Sequence, residues 1–502
     1  MSTYRQFCLY SSESQTKKVQ CYQVLKKGQF NATITRKMSR KIGAKVPCSV
    51  CFHLLSVPRQ EPVSWKGSIS RFDLGRISRI DVGSKVRLCQ CNRLCRLEAL
   101  YSLVQDVDEK YLRRTIELAK TAAGNTRPNP LVGCVVLSKE GKVVGEGYHP
   151  KAGLPHAEVF ALGEAGEHAR GGTLYVNLEP CNHTGRTPPC TEAILRSGIS
   201  RVVVGMVDPD PRTSGDGIRR LRSHGIQVID GIEERACREL NAGFCLRMKW
   251  RKPLSIFKYA MSIDGRIATS NGSSRWISNE KSRQAVHMLR SQVDAIIIGG
   301  NTVRKDDPQL TIRLPGDQQD ITSNHSHLTN TVLGKSCLGN RLHPLRVVVS
   351  SSMDLPIHAR IFEDQEEYPT MVITRKFSKM EERKKVLRSK GVSIIELDTP
   401  TLSPSQVLDC LYEWGALQVL WECGGTLASK ALEQDCIHKI VTFIAPKIVG
   451  GVSSPSPFAS FEIQEMSQAI VLHSLNFQKV DGDFMVEGYF PAVNNVIFDN
   501  VA

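Results

Sequence analysis

One stretch constrains this chain more than any other, His156 to Cys190, reading HAEVFALGEAGEHARGGTLYVNLEPCNHTGRTPPC. His156, Cys181 and Cys190 offer an imidazole and two thiols, a donor set that suits Zn2+ in a tetrahedral arrangement. If they serve one ion, the fold must bring all three within reach of it. Three protein ligands leave a fourth position open, and an open position separates a catalytic zinc from a structural one. A water there would have its pKa lowered from about 15.7 to about 7. Glu158, two residues beyond the imidazole, is not needed as a ligand and can carry a proton instead. His-x-Glu alone is common by chance. Glu-Pro-Cys closing the apolar run after it makes the pattern specific.

The chain has 502 residues, too many for one core, and suggests about three units at ~150 residues each. No apolar run approaches the ~18 residues of a membrane span. The net charge of +16 raises the question of nucleic acid, and its distribution answers it. The first hundred residues hold 19 Lys and Arg against 5 Asp and Glu, leaving 47 against 45 for the rest. The folded body is nearly neutral, so neither nucleic acid nor membrane is expected as a partner. An acidic-poor leader rich in Arg and Ser, without an apolar h-region, reads as an organelle transit peptide, expected to be disordered over residues 1–104. Cys48, Cys51, Cys89, Cys91 and Cys95 in this leader lack an evident scaffold for a second zinc site. The nine cysteines of the body are scattered singly, as in a reducing compartment.

Order is expected from near Asp106. Asp108 to Ala123 reads as an amphipathic helix ending before Gly124. Val132 to Leu137 and Val143 to Tyr148 read as a strand pair around a polar turn. A helix is expected from His156 towards Ala165, a strand over Thr173 to Asn177 and a helix from Cys190 to Arg196. A strand follows at Val202 to Val204, a helix at Gly217 to Ser223 and a last strand at Gln227 to Ile229. This alternation argues an α/β layer with a mainly parallel sheet. Cys190 would then start a helix, where the macrodipole favours thiolate.

With these residues in place, 106–248 resembles the deaminase domain of the bifunctional riboflavin biosynthesis deaminase/reductase family, which has a cytidine-deaminase-like three-layer α/β fold. Zinc deaminases generally space their thiols as Cys-x-x-Cys. Here NHTGRTPP separates Cys181 from Cys190, an insert typical of the riboflavin branch. The resemblance implies zinc on His156, Cys181 and Cys190, Glu158 as the acid/base, and substrate contacts at Asn129, His149, His183 and Arg186. A cation beside the metal site suits a phosphate. The reaction implied is hydrolytic loss of the ring 2-amino group of a phosphoribosyl diaminopyrimidine. The domain is set at 105–250.

Arg251-Lys252-Pro253 marks a boundary. Beyond it, Ala295 to Ile298 leads into Gly299-Gly300-Asn301-Thr302, and Leu417 to Trp421 leads into Glu422-Cys423-Gly424-Gly425 and a helix-like ASKALEQ. Glycine turns between strand and helix let backbone N–H groups approach phosphate. With FKYAMSIDGRIAT, DDPQLTIR and FIAPKIVGG, this part resembles the reductase domain of the same family, a dihydrofolate-reductase-like α/β fold over 251–494 that uses NADPH. The resemblance implies substrate contacts at Lys258, Ser274, Leu310, Arg313 and Glu422. It implies cofactor contacts at Ala260, Trp276, Ser278, Thr302, Asp306, Gly424 and Gly425. Ser273 and Asn279 depart from the bacterial pattern, and a polar tract at 316–340 reads as a flexible insert. The same resemblance implies a plastid (stromal) location after leader removal and a homo-oligomer built through the reductase domain.

Other readings predict different observations. A deaminase with a non-catalytic reductase-like scaffold predicts no NADPH oxidation. A nucleic-acid-editing deaminase needs a basic groove with aromatic stacking residues, against a near-neutral body with 6% aromatic residues. A non-catalytic binding protein has no use for Glu158.

Overall fold

A computed structural model describes residues 93–185, 187–313, 343–376 and 380–498. Arg186, the 316–340 tract and the leader before residue 93, with Cys48, Cys51, Cys89 and Cys91, lie outside the described residues. Contacts divide the chain into Met1–Gln105 and Asp106–Ala502. The described part of the first is the opening of helix α1 (Arg93–Lys120). That helix begins well before Asp106 and inside the leader expected to be disordered. Leu94, Leu97, Leu100 and Tyr101 continue the apolar spacing of Leu112 and Ile116 towards the N-terminus.

Asp106–Ala502 contains two sheets. The first joins β1 (Gly133–Leu137), β2 (Val143–Tyr148), β3 (Thr173–Leu178), β4 (Arg201–Met206) and β5 (Gln227–Asp230). Its spatial order is β2-β1-β3-β4-β5. The expectation of a mainly parallel sheet needs correction here. Only β3, β4 and β5 run parallel; β1 is antiparallel to both its neighbours. The cause is the short turn at Ser138–Lys142, which makes β1 and β2 a hairpin. Helix α2 (Ala157–Ala165) then crosses over and sets β3 on the far side of β1.

Side chains alternate between two cores. On one face Val136, Leu174, Val176 and Val202 meet Ala161 of α2, Ile194 of α3 (Cys190–Ser197) and Leu221 of α4 (Asp216–Ser223). On the other, Val135, Tyr175 and Val203 meet Leu112 of α1. Cys237 of α5 (Glu234–Leu240) and Cys245 of α6 (Ala242–Trp250) join Ile116 and Met206 on that side. Helices on both faces give the expected three layers. Gly147 is required for the closeness of one of them: a Cβ there would lie 2.5 Å from the Ala157 carbonyl oxygen.

The second sheet has nine strands. They are β6 (Leu254–Ser262), β7 (Ala295–Gly299), β8 (Leu345–Val349), β9 (Thr370–Arg375), β10 (Ser393–Leu397), β11 (Gln418–Trp421), β12 (Lys439–Ala445), β13 (His473–Val480) and β14 (Asp483–Tyr489). The order is β10-β9-β8-β7-β11-β6-β12-β14-β13. The first seven are parallel and the β13–β14 hairpin is antiparallel. Continuous apolar runs such as Ala295–Ile298 are what a parallel strand covered on both faces needs. Ile296, Ile298 and Leu420 fill one side, and Ile297, Val419 and Trp421 the other. Because β11 returns between β7 and β6, the loops after β7 and β11 open side by side at the carboxyl edge. Open α/β sheets bind ligands at such a reversal.

Candidate metal and nucleotide sites

The metal donors come from three elements. His156 is the N-cap of α2, Cys181 follows the turn after β3, and Cys190 is the first residue of α3. Their ligand atoms all lie within 4.8 Å of one another. The Nδ1 of His156 stands 3.2 Å from the Cys190 Sγ and 3.5 Å from the Cys181 Sγ. Tetrahedral zinc with usual bond lengths requires nitrogen–sulfur separations of roughly 3.6 Å, so the donor set fits. The Thr187 hydroxyl lies 3.5 Å from Nε2 and steadies the ring from behind. A hydrogen bond from Cys190 lowers the pKa of the Cys181 thiol, and the same bond raises that of Cys190.

Glu158 sits in the first turn of α2, 3% exposed, and its Oε2 has no partner. Burial, aided by the charge of Cys181, raises its carboxyl to about 7. A carboxyl so placed can both take and give a proton near neutrality. It faces a cavity of about 420 Å³ that also exposes Asn129, His149, His156, Cys181 and His183. Asn129 Nδ2 lies 3.0 Å from His149 Nε2, whose Nδ1 lies 3.1 Å from the Pro155 carbonyl. Burial lowers the His149 pKa, favouring a neutral ring. Thus the predicted deaminase residues Asn129, His149, His156, Glu158, Cys181 and His183 line this one cavity, while Cys190 lies buried behind it within reach of His156 and Cys181.

Sequence reasoning missed part of its wall. Glu179 accepts from the N–H groups of Asp208, Gly215, Gly217 and Ile218, tying the Glu-Pro-Cys turn to the loop after β4. That loop adds Asp208, Asp210 and Arg212 to the cavity. Val-Asp-Pro-Asp-Pro at 207–211, following a strand, was the available signal.

In the second sheet, Glu422 at the end of β11 is paired with Arg290, the last residue of α7 (Glu280–Arg290), and with Lys258 of β6 at 3.6 Å. Arg290 also donates to the Thr311 carbonyl, and the Arg313 N–H donates to His287 Nδ1. These bonds gather Lys258, Arg313 and Glu422 around α7, and Leu310 joins the same buried cluster as Val286 of that helix. Arg290 and His287 were not foreseen, because nothing in helical periodicity separates them from solvent-facing polar residues.

Thr302 and Asp306 lie on α8 (Gly300–Asp306), so the expected glycine loop at 299–302 is already the first turn of a helix. After α9 (Glu381–Ser389) and α10 (Pro404–Glu413) comes α11 (Gly425–Glu433), which Gly424 caps. A Cβ at Gly425 would lie 2.6 Å from the Ser456 carbonyl oxygen, whereas Gly424 faces open space. Ala260 packs partly buried against the core, Ser274 is exposed, and Ser278 offers its carbonyl to Arg283. Trp276 is 63% exposed, with the Arg283 guanidinium 4.4 Å from its ring centroid. Core packing is therefore not its role. Asn279 caps α7, accepting from the Ser282 N–H, a place where asparagine serves as well as serine.

Comparison with known proteins finds two family regions along the chain. Residues 105–206 match the cytidine and deoxycytidylate deaminase zinc-binding region, and 253–486 match the RibD C-terminal domain. Fold and site together define a zinc-dependent deaminase fused to an NADPH-dependent reductase. The chain is 48% identical over 382 residues to the Synechocystis riboflavin biosynthesis protein RibD, covering 96% of that protein and 76% of this one. It is 39% identical to Arabidopsis thaliana riboflavin biosynthesis protein PYRR, chloroplastic, covering 62% of it and 78% of this chain. The structure of Acinetobacter baumannii RibD superposes with a TM-score of 0.65 at 35% identity, covering 99% of that chain and 77% of this one. A Thermotoga maritima diaminohydroxyphosphoribosylaminopyrimidine deaminase/5-amino-6-(5-phosphoribosylamino)uracil reductase gives 0.64 at 33% identity, covering 99% of that chain and 77% of this one. The chain belongs to the RibD family of bifunctional riboflavin-biosynthesis enzymes.

Proposed function

We propose that the first domain deaminates 2,5-diamino-6-ribosylamino-4(3H)-pyrimidinone 5′-phosphate and that the second reduces the ribosyl chain of 5-amino-6-(5-phosphoribosylamino)uracil. The observation that carries the first step is the unpartnered, buried Glu158 oxygen beside three convergent zinc donors. Zinc, when bound, supplies Lewis acidity that makes water nucleophilic at neutral pH. Asn129 and His149 hold the pyrimidine, and His183 with Arg186 receives the phosphate. Glu158 takes one proton of the attacking water and gives it to the ring nitrogen, then takes the second from the hydroxyl so formed and gives it to the amino group, which leaves as ammonia while the carbonyl forms.

NADPH, when bound, supplies the hydride for reduction at ribose carbon 1. Gly424, Gly425, Thr302, Asp306, Ala260, Ser278 and the exposed Trp276 form its berth. Lys258, Ser274, Leu310, Arg313 and Glu422 orient the sugar and phosphate, Arg313 as a two-pronged donor. The Arg-rich leader serves as a transit peptide to the plastid stroma, in keeping with the chloroplastic names of the plant relatives. The near-neutral charge of residues 101–502 supports a small-molecule substrate over nucleic acid or a membrane surface as the partner. The protein works as a homo-oligomer through its reductase domain. Incubating purified protein with the deaminated intermediate and NADPH tests the second activity. Absence of NADPH oxidation would leave a deaminase carrying a scaffold.

A further inference from the structure

The deaminase cavity is walled in part by two segments that rest on the second domain. The first is the turn Arg127-Pro128-Asn129, closed by the Asn129 N–H donating to the Thr126 carbonyl at 2.8 Å. Pro128 and Asn129 line the cavity, while Arg127 points away from it. Its guanidinium lies 3.6 Å from the ring centroid of Trp414, which caps α10 (Pro404–Glu413). The second segment is α6, whose Phe244 and Met248 line the cavity. Between them Arg247 donates to the Tyr412 carbonyl at 2.7 Å and lies over the Tyr412 ring at 4.1 Å.

The contact is close-fitting. A Cβ on Gly124 would fall 2.5 Å from the Ser291 carbonyl oxygen, and one on Gly243 2.5 Å from that of Leu417. Asp294, 7% exposed, accepts from the N–H groups of Leu417 and Gln418 at the same seam, and its charge acts on both Arg127 and Arg247. The partners on the second domain lie at the amino-terminal edge of its sheet, opposite the loops after β7 and β11. They are therefore not spoken for by reduction.

We propose that Trp414, through Arg127, is a positioning residue for deamination: the end of α10 fixes the Pro128–Asn129 turn and so the hydrogen bond from Asn129 that orients the pyrimidine. The inference rests on the deaminase reading given above. Arg127 and Trp414 are both half-buried, and a guanidinium stacked on an indole in such a place is held more firmly than a fully exposed one. Asn129 is tied in turn to His149, whose ring packs edge-on against His156 at 5.3 Å. The reductase domain thus supplies part of the deaminase cavity's frame, not only a second activity.

Arg127→Ala, Arg127→Lys, Trp414→Ala and Trp414→Phe in the full chain test this. For Arg127→Ala and Trp414→Ala, KM for the diaminopyrimidine phosphate rises about tenfold with kcat within about twofold. Zinc content and NADPH-dependent reduction stay as in the unsubstituted protein. Trp414→Phe and Arg127→Lys recover much of the loss. Arg127→Ala also guards against a folding defect in the tryptophan variants, since it removes no core side chain. Unchanged KM in Arg127→Ala overturns the inference alone, as does a fall in kcat with loss of zinc. Absence of deamination in the unsubstituted protein overturns the functional reading and this inference with it.

Discussion

Arg290 grips Glu422 with two hydrogen bonds, Nε to Oε1 at 2.6 Å and Nη2 to Oε2 at 3.0 Å, at the carboxyl edge of the reductase sheet. Burial pushes the Glu422 carboxyl up, and the charges of Arg290 and Lys258 more than reverse this, holding it at about 2. The ordinary value is 4.5, so the stabilisation is fully present above about pH 4.5 and is lost as pH falls through about 2. Arg290→Leu leaves a buried carboxylate facing only Lys258, and such broken pairs cost roughly 3–5 kcal/mol. Urea unfolding at pH 7 will show that loss, with NADPH oxidation reduced at least as strongly as stability.

His438 gives a second pH-dependent effect at a milder pH. Its Nδ1 accepts from the Ser255 N–H at 3.0 Å, and burial lowers its pKa from 6.5 to about 4. The unfolded chain takes up a proton near pH 6.5 that the folded chain refuses until about pH 4. Stability from this site is therefore whole above pH 6.5 and lost as pH falls towards 4. His438→Asn keeps an acceptor but cannot titrate. Unfolding free energies measured at pH 7 and pH 5 will differ less in this variant than in the unsubstituted protein.

Glu158→Gln preserves the shape of the buried side chain and removes its proton chemistry. Deamination falls by about 10²–10⁴, while zinc content and NADPH-dependent reduction are kept. Turnover close to the unsubstituted rate would refute the assignment of Glu158.

Gly425→Val tests the nucleotide berth. The new side chain meets the Ser456 carbonyl and must push the start of α11 outward. KM for NADPH rises several-fold and deamination is untouched; an unchanged KM places the cofactor elsewhere.

Some of this was legible in the residues and some was not. His156, Cys181, Cys190 and Glu158 could be read directly because metal chemistry limits donor types and the helix starts at 157 and 190 have local signatures. Strand existence in the first domain was equally readable from apolar runs. The β1–β2 pair was readable too, from the short polar turn at 138–142; the antiparallel pairing of β1 with β3 was not, since it depends on which side of β1 the crossover through α2 sets the next strand. Arg290 escaped notice for another reason: a basic residue in the last turn of a helix is ordinary, and its value comes from Glu422, which a distant strand brings to it. Arg127 and Trp414 escaped likewise, since each is unremarkable until the two domains meet.

The most direct measurement is ammonia release from the phosphorylated diaminopyrimidine by purified protein, before and after zinc is stripped, with zinc content determined in parallel. The account predicts one zinc per chain, ammonia release that needs no NADPH, loss of that release on stripping, and recovery when zinc is returned. NADPH oxidation with the deaminated intermediate should survive stripping. Ammonia release that continues unchanged in zinc-free protein would contradict the account at its centre.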